Sequence, residues 1–187
     1  MRVIAGIAKG HSLKAPKGMT TRPMADKIKG AVFSMLDTLD ANYGRVLDLY
    51  AGTGSIGIEA LSRGAESAQF VEQTRGVCNI IAENLAHTKF IDKAKIHCRK
   101  VAQFISSVDR DDRLEKYDLV FMDPPYADPQ IGSTIESVAK AGLVAEGGFL
   151  VVGHSPRVAL ADDYSPLVLV KRRCHGDSCF SIYRPSE

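Results

Sequence analysis

The sequence has no apolar run of the length needed to cross a bilayer. No membrane association is expected. Its opening, Met1-Arg2-Val3-Ile4-Ala5-Gly6, lacks the long apolar core of a secretory signal, so a cytoplasmic protein is expected. Cysteine is scarce, and Cys78, Cys98, Cys174 and Cys179 show no CxxC spacing, which argues against a zinc ribbon. Cys78 and Cys98 fall in predicted core elements and read as buried thiols. Cys174 and Cys179 flank a predicted hairpin turn near His175, where a metal site or a disulfide is open but free thiols are expected in a reducing compartment. His11, His87, His97, His154 and His175 show no ligand spacing either, so no metal is expected. Internal repeats and low-complexity segments are missing.

A strong net charge is also missing, since the formal value is only +2. Its distribution says more. Residues 1–29 hold Arg2, Lys9, Lys14, Lys17, Arg22, Lys27 and Lys29 against the single acid Asp26. The body, residues 30–170, is acidic, and Lys171, Arg172 and Arg173 make the end basic again. Clustered cations on an acidic body are the footprint of a polyanion partner. A solvated basic tail, or a charged strand edge at Lys171-Arg172-Arg173 that deters aggregation, is the plainer alternative.

What is present is an alternation of short apolar runs and helical patterns in 187 residues, enough for one well-buried domain with a small appendage. Residues 1–18 read as a small β unit, with strand candidates at 2–5 and 11–15 around the Gly6–Gly10 turn region. Residues 25–39 have helical spacing through Ile28, Val32, Met35, Leu36 and Leu39. Strands are then expected at 45–49, 67–71, 94–98, 118–122 and 148–152, separated by helices. Residues 167–170 and 179–183 close the chain as an antiparallel hairpin about Gly176-Asp177. This is the pattern of an α/β fold, a doubly wound, mostly parallel seven-stranded sheet.

The expected fourth strand stops at Asp123-Pro124-Pro125-Tyr126, because two prolines cannot continue a central strand. In open α/β sheets ligands bind at that carboxyl edge. A carboxylate, backbone carbonyls and an aromatic ring suit a flat heterocycle held by its exocyclic amino group. Gly52, Gly54 and Gly57 form G-x-G-x-x-G between a strand and a helix, and let a ligand approach backbone N–H groups closely. Glu72 ends the next strand, where a carboxylate accepts hydrogen bonds from ribose hydroxyls. To this point NAD and S-adenosylmethionine are both allowed. Asp48 tips the reading towards the second, since it would repel a pyrophosphate but suits a sulfonium and an α-amino group.

Together, Asp48-Leu49-Tyr50-Ala51-Gly52-Thr53-Gly54 and Asp123-Pro124-Pro125-Tyr126 resemble the amino-group class of Rossmann-fold S-adenosylmethionine methyltransferases. Within that class the whole chain resembles the bacterial 16S ribosomal RNA guanine-N2 methyltransferases of the RsmD type. The resemblance runs through Arg2-Val3-Ile4-Ala5-Gly6, Lys9-Gly10, Pro16-Lys17-Gly18, Thr21-Arg22-Pro23, the stretch from Gly57 to Ala65, and Gly176-Asp177. It implies a class I methyltransferase domain over residues 23–187, with residues 1–22 as a β-hairpin extension that contacts RNA. It implies that Asp48, Tyr50, Ala51, Gly52 and Gly54 shape the methionine pocket and that Glu72 holds the ribose. The family often has an acid at the adenine; here Lys100-Val101 stands there, which leaves that edge to Val101. Asp123, Pro124, Pro125 and Tyr126 would hold the target base. Arg2, Lys9, Arg22, Lys171 and Arg172 would grip the phosphates. Where the family's fifth strand often ends in Glu, this chain has Gly153-His154.

The implied reaction is direct methyl transfer to the N2 of a guanine (guanine 966 is the family target) in 16S rRNA, naked or within a 30S particle, by a monomer. A DNA adenine-N6 methyltransferase, a methyltransferase for another RNA, an NAD-dependent oxidoreductase and a non-catalytic RNA-binding module are the rivals.

Overall fold

A computed structural model describes residues 1–16, 26–108, 115–125 and 128–186. Two of the expected site residues, Arg22 and Tyr126, lie outside them.

The chain order is α1 (Asp26–Thr38), β1 (Arg45–Leu49), α2 (Ser55–Ser62), β2 (Ser67–Glu72), α3 (Arg75–His87), β3 (Ala94–Cys98), α4 (Val101–Val108), β4 (Tyr117–Met122), α5 (Ile131–Lys140), β5 (Val144–His154), β6 (Asp163–Tyr164), β7 (Leu167–His175) and β8 (Ser178–Pro185). The strands form one sheet in the order β3-β2-β1-β4-β5-β8-β7-β6. β1 to β5 run parallel to their neighbours, and β8, β7 and β6 are antiparallel additions. This is the class I methyltransferase architecture. The sheet has eight strands rather than the expected seven. The extra strand, β6, is two residues held by pairing with β7, too short to leave a period in the sequence.

β1 beyond Arg45 is buried, and so is β4 apart from half-buried Asp118, because both of their faces are covered. Val46, Phe70, Leu119, Phe121 and Val151 pack with α1, α2 and α3 on one face. Leu47, Leu49, Val120, Met122 and Val152 pack with α4 and α5 on the other. α2 has no exposed residue at all. It is covered on its outer side by residues 1–16, whose Val3, Ala8 and Leu13 join the first cluster. The two expected N-terminal strands reduce to one antiparallel bridge, Arg2 to Ser12. Four backbone N–H groups of that segment, those of Ile4, Ala5, Ile7 and Ala8, donate to α2, and five donate within the segment.

Two thiol expectations are corrected. Cys98 is exposed, because it ends β3, the edge strand. Cys174 and Cys179 form a disulfide, because the β7–β8 register sets them directly opposite, with Cα atoms 4.0 Å apart. Cys78 is buried as expected.

Candidate active site at the carboxyl edge of the sheet

Register brings the site together. Leu49 pairs with Val71 and Met122, and Met122 pairs with Val152. The residues that follow, Tyr50, Glu72, Asp123 and Gly153, therefore emerge along one edge of the sheet.

The turn after β1 needs three left-handed residues, Tyr50 (φ 60°), Gly52 (φ 55°) and Gly54 (φ 76°). Two are glycines, which adopt that conformation freely; Tyr50 does so at a steric cost. The turn is closed by Ala51 N–H donating to the Val71 carbonyl and Gly54 N–H to the Ala51 carbonyl. The space a Cβ would fill at Gly52 is open, so a ligand can lie against that backbone. Gly57 has a different use. A Cβ there would come within 2.3 Å of the Phe70 ring, so this glycine packs α2 onto β2.

Three carboxylates face this turn. Asp48 is buried and accepts the Gly57 N–H at 3.0 Å. Burial holds its carboxyl well above the usual range, and the charges of Asp123 and Glu72 push the same way. Glu72 accepts the N–H groups of Gly52 (3.2 Å) and Thr74 (2.8 Å), which fixes its carboxylate beside the glycine turn. Asp123 follows β4, and burial pushes its carboxyl up to about 6. Pro124 is buried and Pro125 exposed, and Asp128 N–H closes the loop onto the Pro125 carbonyl. Val101, buried, opens α4 just beyond β3. Among the described residues, no three His, Cys, Asp or Glu side chains gather as a metal site.

This donor set can hold a cation and hydroxyl groups. It offers carboxylates and an open backbone surface, and it would repel a polyphosphate. The residues present therefore fit S-adenosylmethionine better than a dinucleotide.

The sequence alone assigned no role to Gly153 or to Asn84. Gly153 is the first: a Cβ there would sit 2.3 Å from Asp123 Oδ1, so the bare Cα makes room for that carboxylate. A glycine ending a strand beside β4 was the available signal. Asn84 is another, buried on α3. Its Oδ1 accepts Lys14 N–H, and its Nδ2 donates to the carbonyls of Lys14 and Thr53, tying the N-terminal segment to the glycine turn.

The expected phosphate contacts divide. Arg2 and Lys9 are exposed, and Arg2 makes only a loose 3.7 Å pair with Asp26. Lys171 is half-buried. Arg172 is engaged inside the chain: its guanidinium donates to Ser181 Oγ and the Leu160 carbonyl and pairs with Asp162 at 3.2 Å. His154 continues that network. Burial keeps it neutral, so Nδ1–H donates to the Ser155 carbonyl and Nε2 accepts from Ser181.

Residues 1–184 match the family described as Conserved hypothetical protein 95. The chain belongs to this family, that of the RsmD-type rRNA methyltransferases. It is 33% identical to the Bacillus subtilis protein YlbH over 98% of both chains. It is 26% identical to Ribosomal RNA small subunit methyltransferase D of Escherichia coli K12, over 98% of this chain and 89% of that protein. The solved structure of Escherichia coli yhhF superposes with a TM-score of 0.84 at 26% identity, over 99% of this chain and 97% of that one.

Proposed function

We propose that the chain methylates the exocyclic N2 of a guanine in 16S rRNA, with S-adenosylmethionine as the donor. The observation that carries this reading is Asp123, a carboxylate seated against bare Gly153 on the same edge as the glycine turn. Asp48, Tyr50, Ala51, Gly52 and Gly54 would hold the methionine part, Glu72 the ribose, and Val101 would border the adenine. When bound, the cofactor supplies an electrophilic sulfonium methyl.

The chain's own residues then have to orient the acceptor. A guanine amine is delocalised into its ring and is a weak nucleophile. The Asp123 carboxylate and the Pro124 carbonyl would accept its two hydrogens and aim the lone pair at the methyl. Asp123 is the stronger acceptor when ionised, with both oxygens free of a proton, and burial raises its carboxyl to about 6, below neutral pH. Pro125 stiffens the loop, and Tyr126 would stack on the base, which has to leave its own stack to reach the edge. Holding two reactants in line supplies a large share of such a rate.

In this reading residues 1–22 contact RNA and residues 23–187 carry the chemistry. Arg2, Lys9, Arg22 and Lys171 face the phosphates, and the committed Arg172 shapes the surface rather than gripping it. The enzyme works as a monomer in the cytoplasm, on 16S rRNA or a 30S particle.

The test is methyl transfer from labelled S-adenosylmethionine to 30S particles, naked 16S rRNA and duplex DNA, by wild type and Asp123→Ala. Label on a guanine N2 of the rRNA, lost in the variant while cofactor affinity stays, is the expected result. Label on adenine of DNA alone would sink the ribosomal assignment.

A further inference from the structure

The N-terminal turn holds a residue that its local structure does not call for. Ile7 is 83% exposed, the most exposed large apolar side chain among the described residues. Turn positions ordinarily carry Gly, Pro, Asn, Asp or Ser, each for a conformational reason, and a β-branched apolar side chain supplies none of these. Neither is the segment a loose loop where an exposed isoleucine would be incidental.

Its backbone is fastened to α2 at every step. Ile4 and Ala5 N–H groups donate to the Glu59 carboxylate at 2.8 and 3.0 Å. Ile7 N–H donates to the Ser62 carbonyl at 2.9 Å, Ala8 N–H to Ser62 Oγ, and Ser62 Oγ to the Ala5 carbonyl. Gly6 lies so close to Ser62 that a Cβ on it would overlap the Ser62 carbonyl, and its φ of 79° completes the fit. Lys9 and Gly10 N–H groups close the turn internally. The turn is thus a rigid mount, and what it displays is one apolar side chain. Lys9 has no ion pair among the described residues, whereas Arg2 makes a loose 3.7 Å pair with Asp26 and Lys14 pairs with Glu83 at 2.7 Å. Arg2, Lys9 and Lys14 are exposed in the same segment, and residues 1–16 contain no acid.

We propose that Ile7 is an apolar wedge that packs against an unpaired nucleobase of the substrate rRNA, with Arg2 and Lys9 on the flanking phosphates. This rests on the rRNA reading above and adds a contact to it. An exposed apolar side chain in one segment with the exposed cations Arg2 and Lys9 is complementary to a base between phosphates, and apolar side chains of this kind are used against unstacked bases. Burying most of an isoleucine against a base is worth about a fivefold to tenfold gain in affinity, and it carries no charge.

That absence of charge gives the test. Ile7→Ser and Lys9→Ala are compared with wild type in methyl transfer to naked 16S rRNA and to 30S particles, over a series of salt concentrations. Ile7→Ser is expected to raise KM about fivefold to tenfold on both substrates. Its salt slope, cofactor affinity and melting temperature stay at the wild-type values. Lys9→Ala is expected to flatten the salt slope by about one phosphate contact. An Ile7→Ser effect confined to protein-loaded particles would overturn the proposal in favour of a ribosomal-protein contact. Wild-type KM in Ile7→Ser on both substrates would also overturn it while leaving the rRNA reading intact. No transfer to rRNA by wild type would overturn both.

Discussion

The two basic segments of this chain look alike as sequence and behave differently as structure. In the N-terminal segment the backbone is tied down and the cations are left outside: Arg2, Lys9 and Lys14 are exposed, while Glu59, Ser62 and Asn84 take the N–H groups and carbonyls. In the β7–β8 hairpin the backbone is satisfied by the ladder, and Arg172, still exposed, turns its guanidinium back onto the protein to complete a polar chain through Ser181 to His154. A basic residue can therefore serve a partner or the fold. Which it serves depends on whether the neighbouring polar groups already have donors.

The largest expected effect falls on the mount of the N-terminal turn. Glu59 is fully buried, bonds Ile4 and Ala5, and pairs with Arg63 at 2.9 Å and with buried Lys29 at 3.4 Å. Burial already depresses Lys29, and only the Glu59 charge and hydrogen bond oppose that strongly. Glu59→Ala would strand a buried cation and release the turn. Denaturant unfolding should show a loss of about 3–5 kcal/mol. A loss below 1 kcal/mol would mean that the turn is held by its apolar contacts alone.

Next comes the strand that joins the hairpin to the site. Gly153→Ala would force Asp123 from its seat, and a displacement of that size costs about a hundredfold in turnover. Single-turnover rates should fall while cofactor affinity holds, and equal losses in both would deny Gly153 its specific place beside Asp123.

Arg172→Ala should cost about 1–3 kcal/mol of stability by leaving buried Ser181 and the Leu160 carbonyl short of a donor. The salt dependence of KM for rRNA should not change. A flattened slope would return Arg172 to the phosphate contacts and erase the contrast between the two segments.

The pH dependence is subtler. Asp123 becomes mainly ionised, and a charged acceptor, above about 6. Single-turnover rates should therefore rise through pH 6 and level off above it. A carboxyl raised in the folded state binds its proton more tightly there than in the unfolded chain. Between the ordinary carboxylate range and about 6, its contribution to stability falls as pH rises. The stability difference between wild type and Asp123→Asn should change with pH only in that window and stay constant above about 6. A rate profile flat from pH 5 to 8 would remove the carboxylate from the chemistry.

Much of the molecule was legible beforehand because its signals are local. The glycine turn reads directly, since left-handed backbone at Gly52 and Gly54 calls for that residue type. The end of β4 reads directly because Pro124 and Pro125 forbid its continuation. Less legible was the β7–β8 hairpin beyond its turn. The register shifts between Leu169 and Lys171, so one extra residue hands Arg172, rather than Lys171, the place opposite Ser181. No alternation in the sequence marks such a shift. The pairing of Cys174 with Cys179 is a consequence of the same register.

The sequence by itself determined the order of strands and helices, the glycine turn after β1 and the stop after Met122. Each depends on the conformations open to residues adjacent in the chain. Only the tertiary structure decided that Gly153 would seat Asp123, that Asn84 would join Lys14 to Thr53, and that Glu59 would hold Ile4 and Ala5. Those partners lie 30 to 70 residues apart in the chain or more nearly meet only across the sheet and its helices. The free energy of a buried polar group depends on which acceptor packing brings within 3 Å, and that distance is a property of the folded chain.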